Sequence, residues 1–245
     1  MRRYNGIVTS FLFPFMDKIK DKEQEELAKK VIIHPDDTPR LELGLEDAVC
    51  TMDVAYTEDC AFVSCDIMRG KTGEWVNTFV TIHPLPTTPY TSGYFAYYEG
   101  PLLVECLEQL ASELKLKPAL IIVDGHGIAH PRRFGIASWL GLKLNIPTIG
   151  CAKKPLIKYE RELGTQKGSI SPMLLDDEVV GVALRSNTGV KPIFISPGHL
   201  ISIENTIHII KKYHGEYRIF EPVRRADQAV RRASKGETGD FELIS

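Results

Sequence analysis

Three acids sit where side chains from distant parts of a chain can be gathered: Asp53 inside a β-branched run, Glu99 at the head of an apolar-striped segment, and Asp124 directly after ALIIV. Gathered, they suit hydrolysis of a phosphodiester, which places negative charge on the attacking and leaving oxygens and is helped by a hard divalent cation held on carboxylate oxygens. Without a cation the same acids repel such a substrate and one another. Singly, each has an ordinary explanation: a solvent-facing strand acid, an acid meeting a helix dipole, a turn residue before Gly125. Asp53 fits its own explanation least well, because Met52, Val54 and Ala55 indicate a covered strand in which an unpaired carboxylate is costly. Asp227, inside RRADQAVRR, is a further acid on a predicted helix. Spacing alone does not join them.

The segment VDGHGIAHPRRFGIAS is the densest in chemistry. Its glycines let backbone approach a ligand closely, but neither GxxxxGK(S/T) nor GxGxxG is present, so no nucleotide-cofactor loop is indicated. His126, His130 and His199 are each open to three readings: general base, metal ligand or polar loop residue. The first two do not form a helical zinc pair, since Gly127 and Pro131 oppose a helix there and no Glu stands in the required place. PYTSGYFAYYEG collects Tyr90, Tyr94, Phe95, Tyr97 and Tyr98, rings able to stack on a base or wedge into the gap it leaves, though Phe95 and Tyr97 serve a core equally well. Basic pairs at Arg132 and Arg133, Lys153 and Lys154, Arg224 and Arg225, and Arg231 and Arg232 suit either phosphate contacts or a solvated face. Lys153 follows TIGCA, where a fixed cation can stabilise charge developing on a phosphate.

These residues need a frame. Met16 to Ile33 predicts an amphipathic helix ended by HPDDTPR, and AVCTMDVAY, CAFVSCDIM and EWVNTFVTI predict an antiparallel meander. Glu99 to Leu116 predicts a helix with Pro101 in its first turn, ALIIVD a buried central strand, GIASWLGLKLN a helix and PTIGCA a short strand. Lys158 to Asp177 reads as polar and irregular, followed by strands in EVVGVALRS and KPIFIS. SIENTIHIIKKYH predicts a helix in which Ser202 and Asn205 match a capping box only loosely; Pro222 opens a last helix, and SKGETGDFELIS predicts a mobile tail.

Composition narrows the partners. The 245 residues read as one domain, with flexible tails over residues 1–15 and 234–245. A net charge of -2 excludes a generally basic surface, so any nucleic-acid binding must use local clusters. Five cysteines without a CxxC pair indicate neither a disulfide framework nor a zinc site, which fits a reducing cytoplasm. MRRYNGIVTSFLFPFM is too broken for a signal core or a membrane span, so no membrane partner is expected.

In order and spacing, DVAY at Asp53, PYTSGYFAYYEG through Glu99, VDGHGIAHPRRFGIAS, PTIGCAKKPL, FISPGH and EPVRRAD resemble the endonuclease V family, over about residues 45–230. The resemblance implies an α/β, RNase H-like fold: a mixed central sheet, with an antiparallel three-stranded meander continued by parallel strands, flanked by helices. It implies metal binding by Asp53, Glu99 and Asp124 with Asp227 as a supporting fourth carboxylate, and catalysis by the first three with Lys153. The implied cofactor is Mg²⁺, with Mn²⁺ as a substitute. The implied partner is nucleic acid containing inosine, DNA first and RNA as an alternative. It would be cut at the second phosphodiester 3′ to the lesion, leaving 3′-hydroxyl and 5′-phosphate ends, in repair of deaminated bases. Hypoxanthine would enter a pocket of largely backbone atoms from Gly93, Gly125, Gly127 and Gly135, beside Arg132, while Tyr90 fills the vacated space. Thr91 and Ser92 stand where the family's wedge usually has Ile and Pro, which implies a less stiff wedge and an altered preference among duplex DNA, single strands and RNA. Two rival functions are an inosine-specific endoribonuclease and a non-cleaving inosine-binding module; the four acids speak against the second. A monomer is expected.

Overall fold

The structure, a computed structural model, describes residues 20–87, 93–159 and 162–244. Strands β1 (Ala48–Tyr56), β2 (Cys60–Arg69) and β3 (Trp75–Pro84) form the expected antiparallel meander, with Asp53 opposite Ser64 and Thr51 opposite Asp66. On the other side of β1, β4 (Pro118–Val123) runs parallel to it, and β5 (Thr148–Ala152) runs parallel to β4. Three further strands, β6 (Ile170–Leu175), β7 (Glu178–Leu184) and β8 (Ile193–His199), continue the sheet antiparallel, and β9 (Glu242–Ile244) pairs parallel with β3. Among the described residues, the nine strands lie in the order β6-β7-β8-β5-β4-β1-β2-β3-β9. This is the mixed sheet that the resemblance implied.

Helices cover both faces. α2 (Phe95–Leu114) and α3 (Ile136–Leu144) pack Leu103, Cys106, Leu110, Ala137 and Leu140 against Cys50, Met52, Cys65, Ile121 and Val123. On the other face, α4 (Ile203–Lys212) and the start of α5 (Glu221–Ala233) cover Val49, Leu120, Ile122 and Ile149 with Ile209, Ile210 and Val223, while the rest of α5 lies on Phe62 and Val80. The fatty residues of each strand alternate between these two cores, the period-two signature of a sheet buried on both sides. A helical segment at residues 20–28, here α1, precedes the sheet.

Four expectations need correction. The first helix ends near residue 28, since the β-branched run Val31, Ile32 and Ile33 leaves it in extended form and Ile32 N–H donates to His199 Nδ1 at 3.1 Å. α2 starts at Phe95, so Glu99 is in its second turn and Pro101 lies inside the helix. Gly100, just before Pro101, is where α2 meets α3: an added Cβ would stand 2.6 Å from the Trp139 ring. β6 occupies part of the stretch read as irregular; it is a half-solvated strand with Ser171 and Met173 turned inward, joined to β7 by Asp176 and Asp177 at φ of 53° and 63°. Two residues in left-handed conformation make the tight turn that matches strand twist. Finally, the polar tail is anchored: beyond α5, Phe241 packs on the cluster around Val80 and Val230, and Asn77 Nδ2 donates to Glu242 Oε1 at 2.7 Å. Residues 1–15 lie outside the described residues.

Candidate active site

Strand alternation decides which acids meet. Cys50 and Met52 point into the core under α2 and α3, and Val49 into the opposite one, so Asp53 projects with Val49 toward the α5 side. On β4, Ile121 and Val123 take the first face and Leu120 and Ile122 the second, which places Asp124 on the same side as Asp53. Met52 pairs with Val123 in parallel register, so Asp124, just past the end of β4, stands beside Asp53, where β1 runs on beyond its pairing with β4. α5 lies over this face and supplies the third: carboxylate oxygens of Asp53, Asp124 and Asp227 all lie within 4.8 Å of one another. Lys153, directly after β5, places Nζ 2.6 Å from Asp124 Oδ2 and 2.9 Å from Asp227 Oδ1. Arg231, one turn beyond Asp227, reaches its Oδ2 at 2.8 Å.

Glu99 arrives from the opposite face, on α2, and accepts a hydrogen bond of 3.1 Å from the Tyr56 hydroxyl. It flanks the trio instead of belonging to it. By distance, Asp227, a supporting residue by resemblance, stands inside the trio, and Glu99 flanks it.

The charges are unbalanced. Burial, then repulsion from Asp124, pushes the Asp53 carboxyl up to about 8. Burial and then Asp53 raise Glu99 well above the usual carboxylate range, and burial raises Asp124 despite the attraction of Lys153. Asp227 goes the other way: burial opposes its ionisation, but the Lys153 ammonium and then Arg231 hold it below the ordinary value. Two basic side chains thus face four carboxylates, three of which are reluctant to ionise as they stand. A divalent cation among these hard oxygen donors removes that conflict, so the residues fit the implied metal.

Beside the trio opens a cavity of about 440 Å³, whose lining includes Gly93, Phe95, Gly125, His130, Gly135 and Lys153. Ala96, Phe134, Ile136 and Ala152 add apolar wall, and Gln24, His126 and Lys154 add polar groups. Both histidines bordering it are neutral: burial lowers His126 and His130 to about 4. Each has a fixed duty. His126 Nε2 bonds the Lys154 carbonyl at 2.9 Å, and His130 bonds the Gly93 backbone while its Nδ1 accepts from Arg132 N–H at 3.3 Å. These partners favour the polar loop reading among the three that were open. His199, whose Nδ1 accepts from Ile32, does the same away from the site.

The remaining sequence candidates divide. Gly93, Gly125 and Gly135 line the cavity. Gly127 does not: an added Cβ would stand 2.0 Å from the Pro197 carbonyl oxygen, so this glycine lets the 125–135 loop press against β8. Arg132 is likewise spent on structure. Its guanidinium donates to Gly93 O at 2.8 Å and to Gln24 Oε1, pairs with Asp21 at 2.8 Å and lies 4.9 Å over the Tyr94 ring, tying α1 to the cavity wall. Tyr90, with Thr91 and Ser92, lies outside the described residues. Sequence reasoning missed Gln24, fully buried and lining the cavity, and left Phe95 as much a core residue as a site residue. A glutamine on the apolar side of a short amphipathic helix was the available signal.

Comparison with known proteins agrees with this geometry. The profile of the Endonuclease V family matches residues 25–228. An Endonuclease V from Dictyoglomus turgidum is 38% identical over 216 residues, covering 88% of this chain and 90% of the relative. The crystal structure of the catalytic domain of human Endonuclease V superposes with a TM-score of 0.78 at 32% identity, covering 91% of this chain and 98% of that one. Ciona intestinalis Endonuclease V, solved in complex with a 24mer DNA containing an inosine followed by a ribo-adenosine, gives 0.75 at 29% identity, with 90% and 98% covered. The profile match over residues 25–228 and a relative 38% identical across most of both chains place the chain in the endonuclease V family.

Proposed function

We propose that this protein is a Mg²⁺-dependent endonuclease that takes hypoxanthine out of a DNA strand and cuts the second phosphodiester on its 3′ side, as a step in repair of deaminated adenine. The observation that carries the reading is shared geometry: Lys153 belongs both to the acid trio and to the lining of the cavity. A base seated in the cavity therefore has its own strand led past the acids. The Ciona relative, whose crystallised DNA contained an inosine, supports the choice of base.

Asp53, Asp124 and Asp227, with Glu99 alongside, would hold the cation, which when bound would supply Lewis-acid stabilisation of charge on the phosphate oxygens and make a bound water more acidic. Hard carboxylate donors without a thiolate or imidazole among them favour Mg²⁺, and Mn²⁺ as a substitute. Lys153 holds Asp227 ionised, opposes the burial that raises Asp124, and adds a positive charge facing the phosphate. In the cavity, Phe95 and Phe134 offer apolar walls to the ring and the backbone around Gly93, Gly125 and Gly135 offers hydrogen-bonding groups to its edge. Neutral His126 and His130 keep that wall free of charge.

The test is incubation of a strand with one inosine, beside its adenine counterpart, in Mg²⁺ and in EDTA. One metal-dependent nick at the second phosphodiester is expected; binding without a nick leaves only the inosine-binding module. A second reading, cleavage of inosine in single-stranded RNA, is favoured by the ribo-adenosine beside the inosine in the Ciona complex. Matched DNA and RNA strands, and a DNA strand with a single ribonucleotide 3′ to the inosine, separate the two by their relative rates.

A further inference from the structure

β2 contributes nothing to the acid trio, yet it is bonded to both sides of it. Ser64, the register partner of Asp53, places its hydroxyl between two carbonyls: it donates to Ala226 O at 3.0 Å, with Asp53 O at 3.4 Å. Asp66, two residues on and on the same face, is fully buried and receives the Arg225 guanidinium in bidentate form, Nε to Oδ2 at 2.7 Å and Nη2 to Oδ1 at 2.8 Å. Thr78 Oγ1 on β3 donates to the same carboxylate at 2.9 Å and itself accepts from Trp75 Nε1 at 3.1 Å. Arg225 and Ala226 are the two residues that precede Asp227.

The apolar contact does not set the helix by itself. Val223 and Val230 anchor α5 in the apolar clusters, but next to Asp227 the contact is made by Ala226 and Ala229, short side chains that allow close approach and offer little to interlock against sliding. A buried ion pair is a poor source of net stability, because desolvation cancels much of its attraction; where one is kept, directional placement is the better-attested use. Both polar bonds from β2 end within two residues of Asp227, and the same strand is in register with Asp53.

We propose that Ser64 and Asp66 are positioning residues that set the separation of Asp227 from Asp53, and through it the affinity of the trio for its divalent cation. This rests on the reading of Asp227 as a metal ligand. The test measures binding of Mn²⁺ alone to the intact protein, by electron paramagnetic resonance of the free ion, for wild type, Asp66→Asn, Ser64→Ala and Asp227→Asn, and for Asp66→Asn and Ser64→Ala each combined with Asp227→Asn. Asp66→Asn is expected to weaken Mn²⁺ binding about tenfold. Ser64→Ala, which removes one neutral hydrogen bond, is expected to weaken it about threefold. Neither weakens it further once Asp227 is Asn, because their effect passes through that carboxylate.

Unchanged affinity in the folded Ser64 and Asp66 variants, with weakened binding in Asp227→Asn, overturns the positioning role and leaves the ligand reading standing. Equal losses with and without Asp227 also overturn it, since that is the pattern of general loosening. If Asp227→Asn binds Mn²⁺ as wild type does, the ligand reading fails and the inference falls with it. Should Asp66→Asn not fold by thermal melting, the outcome for Ser64→Ala decides.

Discussion

The acid trio and the base cavity share Lys153 but are built by opposite means. The trio puts charged atoms within β1, just past β4 and on a helix bonded to neighbouring β2, so its chemistry resides in side chains and its precision in the sheet. The cavity is formed by the loops at residues 93–95 and 125–135, and its character is set by backbone, apolar rings and histidines stripped of charge. The difference teaches where each kind of change is felt. A substitution in the trio should alter rate and leave recognition, whereas one in the cavity should alter recognition or the loop's stability and leave the reaction.

The sharpest break is Asp53→Ala. Cleavage of an inosine strand is expected to fall by about 10³-fold or more, while gel-shift binding of that strand in Ca²⁺ stays within a few-fold of wild type. Loss of binding to the same extent would merge the two regions. Next, Lys153→Met is expected to lower the single-turnover rate by about 10²-fold, and, since this residue belongs to both regions, to weaken selection of inosine over adenine as well. A rate effect with unchanged selection would confine Lys153 to the trio.

His130 tests the cavity loop through pH. Its folded value of about 4 lies below the ordinary 6.5, so the unfolded chain binds more protons between these values and stability falls as pH drops through that window. His130→Gln, which keeps a hydrogen-bonding side chain without a titrating ring, should flatten the fall in unfolding free energy between pH 6.5 and 4, followed by thermal melting at each pH, by on the order of 3 kcal/mol. A profile identical to wild type would show that the ring is not the proton-sensitive group of the loop. The smallest effect is expected of Phe95→Ala: about a tenfold weaker binding of an inosine strand with the single-turnover rate at saturation retained, as suits loss of one stacking wall.

Much of this was legible in the chain. ALIIV followed by Asp124, and a β-branched run containing Asp53, announce strands whose register and facing follow from a period of two, and the strings around them mark the family. Less legible were elements whose local signals compete with tertiary contacts. Pro101 reads as a first-turn residue of a helix that in fact begins at Phe95, where Gly100 packs on Trp139, and a polar tail acquires a strand because β3 offers it an edge. Arg132 and Gly127 look like ligand contacts in a loop rich in glycine and arginine; only their neighbours in space, Gly93, Gln24 and the Pro197 carbonyl, reveal them as supports.

What the sequence by itself determined is the inventory: four acids, one lysine at a strand end, a glycine-rich loop and the order of strands and helices that carries them. What only the tertiary structure decided is membership. Asp227 is 103 positions from Asp124 and joins it because α5 lies on the face toward which Asp53 and Asp124 both turn, whereas Glu99, far nearer in sequence, reaches them from the other side of the sheet. Facing within a strand is a local property of the chain, but which helix covers that face, and at what height, depends on long-range contacts such as Asp66 with Arg225 that no window of sequence contains.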